Sequence, residues 1–265
     1  MRKTNRTIVI VTTFISLIIT SRTFASPPVF TPEQKARIGE IAAAYLVAHP
    51  DILVTVSQQL QARQRARQQL QFALKVMENQ QALLHDADTP STGPDDARVA
   101  VIEFFDYQCI HCSRLAPEME KVMEARKDVR YVFREWPIFA GRWMNSRKAA
   151  ENGLAIWNTA GGSAYLRYHN GIYRTGHVEG DLTETDIRQA TAAAAALAGT
   201  SGALKQTDAD ATLEKTSLLA QALGLTGTPG LIVMSVNQPG PDNITVLPGA
   251  VQAEQILAAI DKASR

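Results

Sequence analysis

Val99-Ala100-Val101-Ile102-Glu103-Phe104-Phe105, followed by Cys109-Ile110-His111-Cys112, is the stretch on which the fold of this chain turns. Its near-continuous apolar run predicts a buried strand. The cysteines then open a helix predicted from Cys109 to Ala125, with a kink expected at Pro117, and Val129 to Trp136 predicts a second strand. The result is a βαβ unit. These are the only two cysteines in 265 residues, and a strand that delivers Cys-x-x-Cys to the first turn of a helix is the layout of a thiol:disulfide redox site.

Two plainer uses of the pair weigh against that reading. A structural disulfide closing a loop of about 4 residues would stabilise the fold by only about 2 kcal/mol before strain is subtracted. A zinc or copper centre calls for further ligands at metal spacing, yet the other histidines are His49, His85, His169 and His177, scattered along the chain. The redox reading therefore predicts neither a metal nor a cofactor. The alternative from another class is a copper-binding or client-holding protein in which the two thiols act as ligands, with His111 between them suiting Cu(I).

Thiol chemistry requires the thiolate. At a helix N-terminus the unpaired backbone N–H groups and the positive dipole end favour an anion, so Cys109 is the candidate nucleophile, expected to be exposed. Cys112 is the candidate resolving thiol one turn deeper, and His111 can add a charge or a hydrogen bond.

The N-terminus reads as an export signal. Arg2, Lys3 and Arg6 precede an apolar stretch from about Thr7 to Thr20 and the small-residue end Thr23-Phe24-Ala25-Ser26, which predicts cleavage after Ala25 and a periplasmic location. Cleavage removes four basic residues and no carboxylate, turning 27 basic against 26 acidic into 23 against 26, a net charge of −3. Nothing in that balance points to a nucleic-acid partner.

Thr31-Pro32-Glu33-Gln34 combines a capping residue, a proline at the first helical position and a Gln three residues after the cap, so a helix is expected there with Ile38, Ile41, Ala42, Tyr45 and Leu46 as its apolar stripe. Pro50 interrupts it. Asp51 then opens a long second helix whose apolar positions include Leu53, Val56, Leu60, Leu70, Leu74 and Met77. Its Gln- and Arg-rich middle is too polar for a core, which predicts that residues 26–85 stand off the globular domain as an oligomerisation segment. Turn residues from His85 to Asp96 predict a linker over 86–96 and a catalytic domain over 97–265. Within that domain a helical pattern over about 141–224, punctuated by Gly161-Gly162, Gly176 and Gly180, reads as an insertion. Two strands, Leu231 to Val236 and Ile244 to Leu247, and a helix from Gln252 to Ala263 follow.

Taken together, Glu103-Phe104-Phe105, Cys109-Ile110-His111-Cys112, the helix-rich insertion and Gly227-Thr228-Pro229 before a strand resemble the DsbA family of periplasmic thiol:disulfide oxidoreductases. The resemblance runs from about Arg98 to Ala263. It implies an α/β thioredoxin-like fold with an inserted helical domain, here preceded by the N-terminal helical segment. It also implies that Cys109 and Cys112 are the redox pair with His111 as the family's histidine. Glu103 would be a carboxylate beneath the pair that relays the resolving thiol's proton, and Thr228-Pro229 a cis-proline loop that presents backbone to a substrate strand. Ile110 stands where strong oxidants commonly carry proline, and Thr228 before Pro229 is more like the isomerases and the ScsC-type proteins. Ala48-His49-Pro50-Asp51 and its helices resemble the oligomerising segment of that branch. The implied partners are unfolded or misoxidised exported proteins, a membrane redox partner, and further copies of the chain.

Overall fold

The computed structural model describes residues 29–199, 204 and 208–265. The export signal read over 1–25 lies outside the described residues. In chain order the elements are α1 (Pro32–Ala48), α2 (Asp51–Glu78), α3 (Gln80–Leu84), β1 (Ser91–Thr92), β2 (Val99–Phe105), α4 (Ile110–Ala125), β3 (Arg130–Glu135), α5 (Met144–Arg174), α6 (Glu184–Leu197), α7 (Ala209–Leu223), β4 (Gly230–Ser235), β5 (Ile244–Pro248) and α8 (Ala253–Ala263). Among the described residues no single helix is long and apolar enough to cross a membrane.

The chain divides into two compact units at Gln59/Leu60. In the first, α1 begins as the sequence predicts. The Gln34 N–H donates to Thr31 Oγ1 at 3.2 Å, Gln34 Oε1 accepts the Thr31 N–H at 2.9 Å, and Pro32 fills the first turn. No residue of α1 is buried. Ile38, Ile41 and Tyr45, spaced along one face, are all about half exposed or more.

The second unit is built on a sheet of order β1-β3-β2-β4-β5, with β2 parallel to β3 and every other pairing antiparallel. Every residue of β2 is buried, so both faces of the strand need cover, and successive side chains alternate between them. Val99, Val101 and Phe105 join the core formed with α4, α5 and α8, which also holds Cys109 and Cys112. Ala100, Ile102 and Phe104 join a second core with Ala73, Val76, Leu83 and Leu84 on one side and Leu219, Ala220 and Leu223 of α7 on the other. Parity puts Glu103 on the cysteine face.

That second core revises the expected boundaries. The C-terminal part of α2 and α3 belong to the sheet's apolar cover, so the divide falls inside α2 and not over 86–96. The stretch read as a linker carries edge strand β1, and Pro90 accepts the Phe133 N–H at 2.8 Å. At Gly93 (φ +93°) a Cβ would lie 2.1 Å from the Val129 carbonyl oxygen, which only glycine avoids. α7, inside the expected insertion, also packs on the sheet. Within α5 the helix breaks at Gly161 (φ 74°, ψ −168°), where the Gly161-Gly162 pair predicts punctuation. α4, by contrast, runs as one element through Pro117.

Arg134 of β3 locks the segment before β1 to the sheet. It is buried and donates to Asp86 Oδ2 at 2.9 Å, to Thr89 Oγ1 at 2.7 Å and to the carbonyls of Ala82 and Leu83. Asp86 is held below the ordinary carboxylate range by Thr89 and Arg134, against its own partial burial. Removing the carboxylate strands a buried guanidinium, so Asp86→Ala is expected to cost about 3 kcal/mol in urea unfolding at pH 7. A depressed carboxyl contributes its stability above its unfolded pKa and loses it as pH falls through the folded one. The difference between wild type and variant should therefore shrink on acidification below about pH 4.

Candidate active site

After Phe105 the chain turns through Asp106 into α4. One Asp106 carboxylate oxygen accepts the Gln108 N–H at 2.8 Å, an Asx turn, while the other accepts the Phe139 N–H at 2.9 Å and the Ser146 hydroxyl at 2.8 Å. The Asp106 carbonyl accepts the Cys109 N–H at 3.0 Å and the Tyr173 hydroxyl at 3.1 Å. Gln108 ties the same turn to the helical insertion, its carbonyl accepting the Glu179 N–H and its side chain the Gly180 N–H, both at 2.9 Å. The thiols are thus positioned by a buried Asp and Gln that lie outside the Cys-x-x-Cys motif. An Asp immediately after a strand, with the Asx turn's reach of two residues, is the signal that marks it.

Cys109 caps α4 with extended backbone dihedrals (φ −82°, ψ 117°), and Cys112 lies in the first turn. Both are free thiols. The Cys109 sulfur lies 3.3 Å from the Thr228 carbonyl oxygen, to which it donates only while protonated. Only 3% of Cys109 is exposed, against the expectation of an open nucleophile, and Cys112 is fully buried. The Thr228–Pro229 loop closes over the sulfur, which explains the difference. The Thr228–Pro229 bond is cis.

The two thiols are pushed apart electrostatically. A hydrogen bond from Cys112 brings Cys109 down to about 6, against the effect of burial and with help from Thr228 and the backbone N–H groups of Cys112 and His111. The Thr228 hydroxyl, buried and without another partner, stands beside the sulfur. Burial first, then the Cys109 sulfur, raises Cys112 well above an ordinary thiol. One sulfur is therefore a thiolate at neutral pH and the other keeps its proton. His111 takes part through its backbone N–H, while its side chain lies exposed.

Glu103 is buried on the face of β2 shared with the cysteines, and neither carboxyl oxygen has a hydrogen-bond partner. Burial, then the charge on Cys109, raises it to about 8. A second buried carboxyl, Glu135, accepts the hydroxyls of Tyr107 at 3.0 Å and Tyr165 at 2.8 Å. Burial pushes it well up as well. His169, ringed by Phe105, Phe133 and Tyr173, is brought down to about 4 by burial and is neutral at pH 7. Among the described residues no three His, Cys, Asp and Glu side chains come together as a metal site.

The structure thus brings Cys109, Cys112 and Thr228-Pro229 into one site, places Glu103 on the same face behind it, and leaves the His111 imidazole outside.

Residues 85–261 match the thioredoxin family, and residues 34–67 match the N-terminal domain of the copper resistance protein ScsC. The crystal structure of BcfH from Salmonella enterica Typhimurium is 37% identical, with a TM-score of 0.72 over 88% of this chain and 97% of that one. A linker-deletion variant of ScsC from Proteus mirabilis is 26% identical, with a TM-score of 0.60 over 90% of this chain and 99% of that one. The catalytic domain of the same ScsC is 27% identical, with a TM-score of 0.59 over 73% of this chain and 99% of that domain. Comparison with curated proteins finds no match.

Proposed function

Because this chain belongs to the thioredoxin family, in a branch that also carries an ScsC N-terminal domain, we propose that it is an exported thiol:disulfide oxidoreductase that forms or isomerises disulfides in other exported proteins. The observation that carries this reading is the placement of Cys109 at the cap of α4 against the Thr228 carbonyl, with Cys112 buried in the first turn behind it, an arrangement that lowers the Cys109 pKa and raises that of Cys112.

The Cys109 thiolate attacks one sulfur of a client disulfide, forming a mixed disulfide and releasing the client's other sulfur as a thiolate. Two exits follow. Attack by Cys112 on the Cys109 sulfur releases the second client thiolate and leaves a Cys109–Cys112 disulfide, so two electrons pass to the client. Attack by another client thiolate instead returns Cys109 reduced with the client disulfide moved, an isomerisation with no net redox change. Running the first route backwards oxidises the client, and a membrane redox partner would then remove the two electrons from the pair.

Glu103 fits the proton step. While Cys109 is anionic, its charge helps hold the proton on Glu103. Once that sulfur is bonded to the client the charge is gone, the Glu103 carboxyl becomes more acidic, and the carboxylate can take the proton Cys112 must lose. The carbonyl of Thr228 beside the Cys109 sulfur supports the cis-proline loop as the place where client backbone lies.

Cys112→Ser removes the first exit. Mixed with a reduced, unfolded client and oxidised glutathione, this variant should accumulate a Cys109–client adduct visible on a non-reducing gel and lost with dithiothreitol; absence of any adduct would refute the reading.

Self-association through the N-terminal helices belongs to the same proposal. Ile38, Ile41 and Tyr45 on α1, and Leu53, Val56 and Leu60 on α2, recur at helical spacing and are exposed, a seam suited to further copies of the chain. Light scattering is expected to give an oligomer for the full chain without its export signal and a monomer for Ile41→Asp/Tyr45→Asp, with client oxidation retained and isomerisation reduced.

A further inference from the structure

The second unit holds a groove that extends from the cis-proline loop to α2, with a volume of about 770 Å³, in the size range of ligand clefts. One wall is a stripe of α2. Arg65, Gln68, Phe72 and Lys75, spaced by three or four residues, face it together. The opposite wall is the loop from Gly224 to Gly230 and the end of β5 at Pro248-Gly249. Gln69 pins the helix to the sheet by donating to the Ile244 carbonyl at 3.3 Å.

Three properties of the groove identify its occupant. Its charge has one sign: Arg65 and Lys75 line it with no carboxylate, and among the described residues neither belongs to an ion pair. Its floor is open backbone, since a Cβ added at Gly227 or Gly249 would meet nothing within 4 Å, while Lys75 Nζ lies 3.0 Å from the Cβ position of Gly224. It is also continuous with the thiol site, because Thr228 and Pro229 line the groove while the Thr228 carbonyl touches the Cys109 sulfur. A chain bonded to Cys109 and running past Thr228 would reach this groove, where Gln68 and Gln71 could serve its backbone and Phe72 and Leu225 its apolar side chains.

We propose that the groove between α2 and the cis-proline loop binds an extended segment of the client polypeptide, selecting acidic side chains within a few residues of the client cysteine. The inference rests on the oxidoreductase reading and gives it a substrate preference. No redox step occurs in the groove; it raises the encounter rate and holds the client while exchange proceeds at Cys109.

Three peptides, each with two cysteines and differing only in whether the flanking residues are Glu, Gln or Lys, test this with the full chain and oxidised glutathione as oxidant. The expected kcat/KM is about tenfold higher for the Glu peptide than for the Gln peptide, and the advantage should fade as salt is raised. In Arg65→Glu/Lys75→Glu the order should invert in favour of the Lys peptide, while iodoacetamide labelling of Cys109 keeps its wild-type rate and shows the fold intact. Equal rates for all three peptides would overturn the groove and leave the oxidoreductase standing. Exchange with none of them would overturn both. If the double variant instead changes the oligomer's mass, the groove is an interface between copies of the chain and the inference falls.

Discussion

Replacing Cys109 by Ser is expected to reduce reactivation of a disulfide-scrambled substrate to the rate of the glutathione buffer alone. The cap of α4 and the Cys112 thiol bring a thiol into the neutral range; they cannot do so for a hydroxyl, whose proton is held far more tightly. Cys112 cannot take over, because it is fully buried and its proton is held well above the ordinary thiol range. Any Cys109→Ser activity above the buffer rate would move the nucleophile elsewhere. The same site predicts a titration: iodoacetamide labelling of the reduced protein should rise through a midpoint near pH 6, against about 8.5 for an ordinary thiol. The depressed pKa gives Cys109 a contribution to the reduced chain's stability that grows as pH climbs from about 6 towards the ordinary thiol value, so in that window this thiolate increasingly favours the reduced pair relative to an ordinary thiol couple such as glutathione.

Glu103→Gln should make the reduced protein more stable and its turnover slower. A carboxyl raised to about 8 on folding keeps full stability only below its unfolded pKa. It loses that stability as pH rises through the folded value, because the folded chain must either hold the proton or bury a charge. Gln has no such loss, so the variant is expected to gain about 4 kcal/mol at pH 8 and almost nothing at pH 4. Urea unfolding of the reduced proteins at the two pH values reads this directly. Resolution of the mixed disulfide by Cys112 should slow by about 10²-fold, with the initial attack by Cys109 unimpaired. A variant that is less stable than wild type at pH 8, or that resolves at the wild-type rate, would show that Glu103 neither carries the burial penalty nor takes the proton.

On the proposed role of Glu103, opposite effects on stability and rate from one side chain would account for a carboxylate at the centre of so apolar a strand. The residues around it are Val101, Ile102, Phe104 and Phe105, all fully buried, and neither carboxyl oxygen of Glu103 has a hydrogen-bond partner. Under that proposal the buried Glu103 is the point where local consistency gives way to chemistry.

Local chemistry, legible in the chain itself, determined the βαβ unit around the cysteines, the cap of α1 at Thr31, the break at Gly161, and Cys109 at the mouth of α4 with Cys112 behind it. Each depends on a few neighbouring residues: an apolar run, a hydroxyl before a proline, a glycine pair, a helix end. Tertiary structure alone decided that the second half of α2 covers the sheet, since Phe72, Ala73, Val76 and Met77 make the same helical pattern whether they meet a sheet or another helix. It decided too that residues 86–96 carry an edge strand, that Asp106 and Gln108 fasten the redox turn to the insertion, and that Glu135 shares its proton environment with Tyr107 and Tyr165. Those pairings join residues 28 to 72 positions apart, and no local preference encodes a partner at that distance. The pKa split between the thiols belongs to the same class, because burial and the Thr228 loop, 119 residues away in sequence, act on sulfurs that the motif only places.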